Sequence, residues 1–333
     1  MSFTDAQLDR AVGALIGTAV GDALGIPYEF ESRPRLLPGE HAQMLGGGLG
    51  DFAPGQWSDD TSMAVAIALA GADSSLTSTE GVEAAASNFL KWYEGGPPDI
   101  GIQTRAVLSS TKSTRADGGA DLAEAMTTSA LAYAADNPRS AGNGALMRTA
   151  PVGLSNLNDR EATATAAYDI ARLTHADPLA VDSCVLWSEA IRIAILDGRI
   201  DVRAGLDLVA QERRADWAAR LDAASTSDPN AFNPNGFTVT ALQAAAAAIS
   251  QTPVPADDPS RHFHDTLHVA IRIGNDTDTV AAIAGGLLGA RWGASAIPAH
   301  WRDMVHGWPV TAGQPATAET LASLAIRTLR RQS

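Results

Sequence analysis

The chain has 333 residues, 45% apolar and only 5% aromatic, with 38 acidic against 24 basic side chains and a formal net charge of −14. That balance opposes adhesion to nucleic acid or to an anionic membrane surface, so neither is an expected partner. A single cysteine, Cys184, rules out an intrachain disulfide framework and a thiolate zinc site.

Residues 1–5 lack the basic, then apolar pattern of a secretory leader, and no uninterrupted apolar run reaches 18 residues, so a soluble, cytoplasmic protein is expected. Residues 4–25 read as a first helix, with Leu8, Val12, Leu15, Ile16 and Ala19 on one face. Glycines recur at 13, 17, 21 and 25. Each weakens a helix by about 1 kcal/mol relative to alanine, which points to close approach of another helix or a ligand along that stripe. Glu29 follows between Tyr28 and Phe30, an unusual setting for a surface charge. Residues 31–57 form a long loop whose glycine run at 46–50 lacks the Gly-Lys-Ser/Thr ending of a phosphate loop; it reads as a cover over a cleft.

Ser58 is a natural N-cap for a helix over 59–72, with Asp59 and Asp60 in its first turn. A helix over 80–93 leads to a Gly-Gly-Pro-Pro loop ending in Asp99, and 109–119 reads as a polar, mobile surface stretch. After a helix over 121–135, Asn143 stands between Gly142 and Gly144, either where backbone approaches a ligand or in a tight turn before a helix near Leu146. Further helices are predicted over 159–173, 179–196, 201–221 and 237–249. His262, His264 and His268 do not fit the His-Glu-x-x-His spacing, and read as partly buried side chains on a helix rather than as a zinc site. Gly274-Asn275-Asp276-Thr277-Asp278-Thr279 opens an apolar helix to about residue 290, 292–309 reads as irregular, and a last helix spans 317–331. The whole is an all-α chain forming one domain over 1–333, with no coiled-coil or open sheet edge and hence a monomer by expectation.

Two stretches concentrate oxygen donors at predicted helix N-termini. Asp59, Asp60, Ser58 and Thr61 form one; Asp276, Asp278, Thr277 and Thr279 form the other. Four carboxylates brought together repel one another unless cations are present, and Mg²⁺ or Mn²⁺ takes such oxygens. From the residues alone, a binuclear site and two separate sets of capping acids both account for the pattern.

The segments Gly21-Asp22-Ala23-Leu24-Gly25-Ile26-Pro27-Tyr28-Glu29-Phe30, Gln56-Trp57-Ser58-Asp59-Asp60-Thr61, Asn143-Gly144-Ala145-Leu146-Met147-Arg148 and Gly274 to Thr279 resemble, in order, the signature segments of the ADP-ribosylglycohydrolases, over about residues 10–292. The resemblance implies a compact orthogonal multi-helix bundle holding two divalent cations, Mg²⁺ or Mn²⁺. It implies one ion on Ser58, Asp59, Asp60 and Asp278 and the other on Asp276, Asp278 and Thr279. Glu29, Asp99 and Asp60 become the candidate catalytic acids, and Asn143, Gly144 and His175 contacts to ADP-ribose. Phe237 and Trp57 are the aromatic candidates for stacking. The implied partners are ADP-ribose and an ADP-ribosylated protein, modified most readily on arginine, with serine-linked or small-molecule ADP-ribose as alternatives. A silent ADP-ribose-binding protein and a two-metal phosphohydrolase are the competing readings; retention of all the acids argues against the first, and the lack of a phosphate loop against the second. Two departures from the family pattern are Ser58, where threonine is commoner, and Asn275, where glycine is.

Overall fold

A computed structural model describes residues 3–116 and 121–332. Among these, fourteen α-helices account for nearly all regular structure: α1 (Asp5–Gly25), α2 (Asp59–Asp73), α3 (Thr79–Glu94), α4 (Ile102–Ala116), α5 (Leu122–Asp136), α6 (Ala150–Gly153) and α7 (Arg160–Arg172), then α8 (Pro178–Asp197), α9 (Gln211–Thr226), α10 (Thr238–Gln251), α11 (His262–Arg272), α12 (Thr277–Trp292), α13 (Ala299–Met304) and α14 (Ala318–Arg331). Several of their starts are capped by side chains, Ser58 among them as the sequence suggests. Thr4 closes a capping box with Gln7, and Ser58, Ser78, Asp159 and Asp177 each accept a backbone N–H of the helix they precede.

The glycine stripe is a helix–helix seam. A methyl group on Gly13, Gly17 or Gly21 would lie 2.3, 2.2 and 2.0 Å from the carbonyl oxygens of Gly289, Gly285 and Ala281, and one on Gly25 would lie 2.3 Å from Asp278 Cα. Numbers rise along α1 as they fall along α12, so the helices pack antiparallel with backbones nearly touching. This clamps the C-terminal end of α1 onto the first turn of α12, where Thr277 Oγ1 donates to Gly25 O (2.8 Å). The segment Asp5–Glu31 is long and apolar enough to cross a membrane by length and composition, yet 94% of that apolar window is buried in the fold.

Three sequence expectations are corrected. Residues 109–116 continue α4, and the rest of that polar stretch, 117–120, lies outside the described residues. Residues 201–210 form turns, so the predicted helix begins only at Gln211, where the chain leaves a run of turns pinned by Arg160 on Ala204 O and Asp207. The region 292–309 contains α13 and the start of a hairpin, β1 (His306–Thr311) with β2 (Gln314–Thr317), paired antiparallel. Gly307 and Pro309 hide the period-two pattern of so short a strand. The hairpin positions the site: His306 O accepts the Trp57 N–H (2.9 Å), holding the chain where it turns into Ser58.

Candidate active site

The N-termini of α2 and α12 and the C-terminal end of α1 meet at one end of the seam. Their carboxylates converge there: one oxygen each from Asp22, Asp60 and Asp278 lies within 4.8 Å of the others, as does one each from Glu29, Asp276 and Asp278. The expected clusters at 58–61 and 274–279 therefore meet in space, joined by Asp22, which had been quoted within a motif but given no role.

Asp22 is fully buried and acts as the keystone. Its carboxylate accepts the Ser58 N–H at both oxygens (3.0 and 3.1 Å), and its Oδ2 also accepts the Thr61 N–H (3.0 Å) and Thr61 Oγ1 (2.6 Å). With its lone pairs so used, Asp22 shapes the first turn of α2. Ser58 Oγ donates to Asp60 Oδ2 (2.9 Å), leaving Asp60 Oδ1 buried without a partner; Asp278 Oδ1 and Glu29 Oε2 are orphaned in the same way. Among the described residues, no Arg, Lys or His is ion-paired with Asp22, Glu29, Asp59, Asp60, Asp276 or Asp278.

The electrostatic consequence is uniform. Burial, then repulsion from Asp276, Asp99, Asp59 and Asp22, pushes Glu29 up to about 9. Burial, then Asp99, raises Asp59 to about 7, although the Gly101 N–H (3.2 Å) opposes the shift. Burial raises Asp22 to about 6 against its hydrogen bonds, lifts Asp60 and Asp278 well above the ordinary carboxylate range, and raises Asp276 against side-chain hydrogen bonds from Asn143 and Thr279. Unpaired buried oxygens on crowded carboxylates are the donor set of a hard divalent cation, and Mg²⁺ or Mn²⁺ fits them. Three further residues bring φ into the left-handed region beside this cluster: Phe30 (41°), Glu31 (62°) and Asn275 (58°), with the Phe30 N–H donating to Asn275 O (2.7 Å). This contact carries Glu29 inward over the acids.

The cluster forms the floor of a cleft of about 490 Å³, within the size range of small-molecule sites. Asn143, Gly144 and His175 line it, as do Glu29, Asp59, Asp99, Asp276, Asp278 and Thr279. Asn143 opens a single 3₁₀ turn, as the turn reading has it, and also lines the cleft, where its Nδ2 donates to Asp276 Oδ2 (2.7 Å) and Asn235 O (3.1 Å). Asn235, also buried, accepts the Asp276 N–H (3.0 Å) and donates to Gly274 O (3.1 Å), so it fastens the second acidic loop. Sequence reasoning missed it; the Asn-Pro-Asn-Gly run before α10 was its only signal.

His175 is set by a relay. Buried Arg148, stacked 4.4 Å over Phe89, donates to Thr174 Oγ1 (2.8 Å), which shares a hydrogen bond with His175 Nδ1 (2.8 Å). Burial, then Arg148, drives His175 down to about 3, so the ring is neutral, with Nε2 beside Gly142 and Gly144. A methyl group at Gly144 would lie 3.0 Å from the ring and would press on it.

Asp99 is half-buried and outside both oxygen clusters, on the wall between the cleft and a second cavity of about 360 Å³. The glycine-rich loop contributes Leu49 to the cleft mouth. Neither aromatic candidate lines the cleft. Phe237 is exposed beside the cleft, lining a neighbouring depression, because its backbone caps α10; Trp57 is fully buried and faces the second cavity, held by β1.

The chain matches a family model described as ADP-ribosylglycohydrolase over residues 4–333. It is 29% identical to the ADP-ribosylarginine hydrolase Tri1 of Pseudomonas putida, covering 90% of this chain and 74% of that protein. It is 28% identical to the ADP-ribosyl-[dinitrogen reductase] glycohydrolase of Rhodospirillum rubrum (88% and 89%), and 26% identical to human ADP-ribosylhydrolase ARH3 (92% and 91%). A solved structure described as an ADP-ribosylglycohydrolase-related protein complex superposes with a TM-score of 0.71 at 26% identity, covering 99% of this chain and all of that one.

Proposed function

The chain belongs to the ADP-ribosylglycohydrolase family and is a glycosidic bond hydrolase, and from that premise we propose that it removes ADP-ribose from arginine side chains of proteins in a divalent-cation-dependent reaction. The observation that carries this reading is the set of buried carboxylates that pair with no basic side chain among the described residues, with orphaned oxygens on Glu29, Asp60 and Asp278. Ser58, Asp59, Asp60, Asp276, Asp278 and Thr279 would hold two Mg²⁺ or Mn²⁺ ions. Bound there, such ions supply positive charge to fix sugar hydroxyls and to acidify a water.

The chain's own residues do the rest. Asn143, the bare backbone of Gly144 and Nε2 of His175 bind and orient the ADP-ribose. The water oxygen bonds to ribose C1 as the bond from C1 to the guanidine nitrogen breaks, through a centre that carries oxocarbenium character. Asp99 takes the water's proton, and Glu29, in its protonated form, gives one to the departing nitrogen. The surrounding carboxylates stabilise the positive charge that grows on the sugar. An acidic rim suits a guanidinium leaving group, and the named activity of the Pseudomonas putida relative supports arginine.

The test is release of free ADP-ribose, read by mass, from matched peptides carrying ADP-ribosyl-arginine or ADP-ribosyl-serine, with Mg²⁺, with Mn²⁺ and with chelator. Metal-dependent release from the arginine peptide is expected. Release from the serine peptide alone would overturn the linkage, and release undiminished by chelator would overturn the cation requirement. Binding of ADP-ribose without release from either peptide would make this a silent binding protein.

A further inference from the structure

Away from the acid cleft, the fold gathers three histidines from two distant stretches. His264 and His268 lie one turn apart on α11, as their spacing implies, and His41 arrives from the long loop between Glu29 and Ser58. One ring nitrogen from each lies within 4.8 Å of the others. The ring centroids of His41 stand 5.4 Å from His264 and 4.6 Å from His268. We propose that His41, His264 and His268 form a binding site for a divalent cation of the zinc class, separate from the oxygen-lined site and independent of the hydrolase reading.

Four observations argue for it. The His264 and His268 Nε2 atoms are 3.2 Å apart. Two imidazole nitrogens on one tetrahedral ion, each about 2.0–2.1 Å from it, are separated by about 3.3 Å. His264 also has the tautomer of a ligand: its Nδ1–H donates to Asp265 Oδ1 (2.9 Å), leaving the Nε2 lone pair free to face the other rings. A carboxylate behind a ligating histidine is the arrangement that orients metal-bound imidazole. The ring is further locked by Trp301 of α13, stacked at 5.0 Å with an interplanar angle of 6°. Finally, a depression of about 570 Å³ reaches His41, Asp265 and His268, giving an ion and its water a path in. The two arginines nearby are engaged: Arg261 with Asp257 and Asp265, Arg272 with Glu40 O. Imidazole donors select zinc, cobalt, nickel or copper over Mg²⁺.

One contact makes the site a choice rather than a fixed cage. His268 Nδ1 accepts the Ala42 N–H (3.0 Å), so without an ion its proton sits on Nε2 and is donated to His264 Nε2. A cation takes the place of that proton. The His268 proton then moves to Nδ1, where it faces the Ala42 N–H, and the amide must swing away. Loading the site therefore releases one tether of the loop that joins Glu29 to Ser58, while His41 supplies another.

The experiment titrates Co²⁺ into the full chain held in saturating Mg²⁺, which occupies the oxygen donors. One equivalent of Co²⁺ with the visible absorption of a nitrogen-liganded, tetrahedral ion is expected, with quenching of Trp301 emission and faster hydrogen exchange at the Ala42 amide. His41→Ala, at an exposed position, should weaken Co²⁺ binding at least tenfold without disturbing the fold. His264→Ala should do the same, and Asp60→Asn should leave it unchanged. Equal Co²⁺ affinity in His41→Ala and the parent, or Co²⁺ binding lost in Asp60→Asn, would overturn the site. So would the absence of any Co²⁺ bound in excess Mg²⁺.

Discussion

Two regions of this molecule bury carboxylates, and they treat them in opposite ways. On α8, Asp182 accepts Arg213 Nε (2.6 Å), Arg213 Nη2 (3.0 Å) and Trp217 Nε1 (3.0 Å), and Glu189 is gripped by both arms of Arg192 (2.6 and 2.9 Å) with Arg160 3.4 Å away. Every buried charge there has its countercharge inside the protein. In the cleft, the acids have only hydroxyls, amides and one another, and buried oxygens of Glu29, Asp60 and Asp278 have nothing. The difference teaches that burial of an acid does not mark a site. A missing countercharge does, because the free energy that folding leaves unrecovered there is available to a ligand.

The largest effect that would break this comparison is on catalysis. Asp60→Asn or Asp278→Asn should lower turnover at least about a hundredfold. The circular dichroism should stay helical and the melting temperature in chelator should hold or rise, since one repelling charge is gone. Near-normal turnover in both variants would remove the cation site from the reading. The α8 region should respond the other way round. Asp182→Ala leaves Arg213 and Trp217 without their acceptor and should cost about 3 kcal/mol in urea denaturation, toward the low end for a broken buried pair because Arg213 reaches water. Turnover per folded molecule should not change.

The most diagnostic effect is on pH. Asp22, Asp59 and Glu29 are raised to about 6, 7 and 9 in the fold, above their unfolded values, so over that range the folded chain holds more protons than the unfolded one. Their contribution to stability is present below pH 4 and is lost as pH rises through the folded values. Thermal melts in chelator should therefore show the cleft's contribution declining from pH 5 to 9, and Mg²⁺ should abolish that decline. A decline that is the same with and without Mg²⁺ would mean that the acids are not where the cation binds.

Much of this was legible in the chain itself, for reasons that are local. Ser58 was legible as a cap because an oxygen one to three residues ahead of a free N–H needs no tertiary partner. The glycines at 13, 17, 21 and 25 signalled a close approach because four such residues on one face have a helix penalty that only packing offsets. What approached was α12, and that depended on Gly285 and Gly289 lying more than 260 residues away in register. The acids at 59, 60, 276 and 278 were visible as two clusters, but their convergence was implied only by the family resemblance, since sequence spacing carries no information about which helix ends share a point in space. Asp22, Asn235 and His41 were passed over because each is ordinary in its own segment and is defined by partners far along the chain. Composition and periodicity determined an α-helical chain rich in paired acids at helix starts. Only the tertiary structure decided which of those acids lack a countercharge, because pairing is a property of the folded neighbourhood and not of the residue.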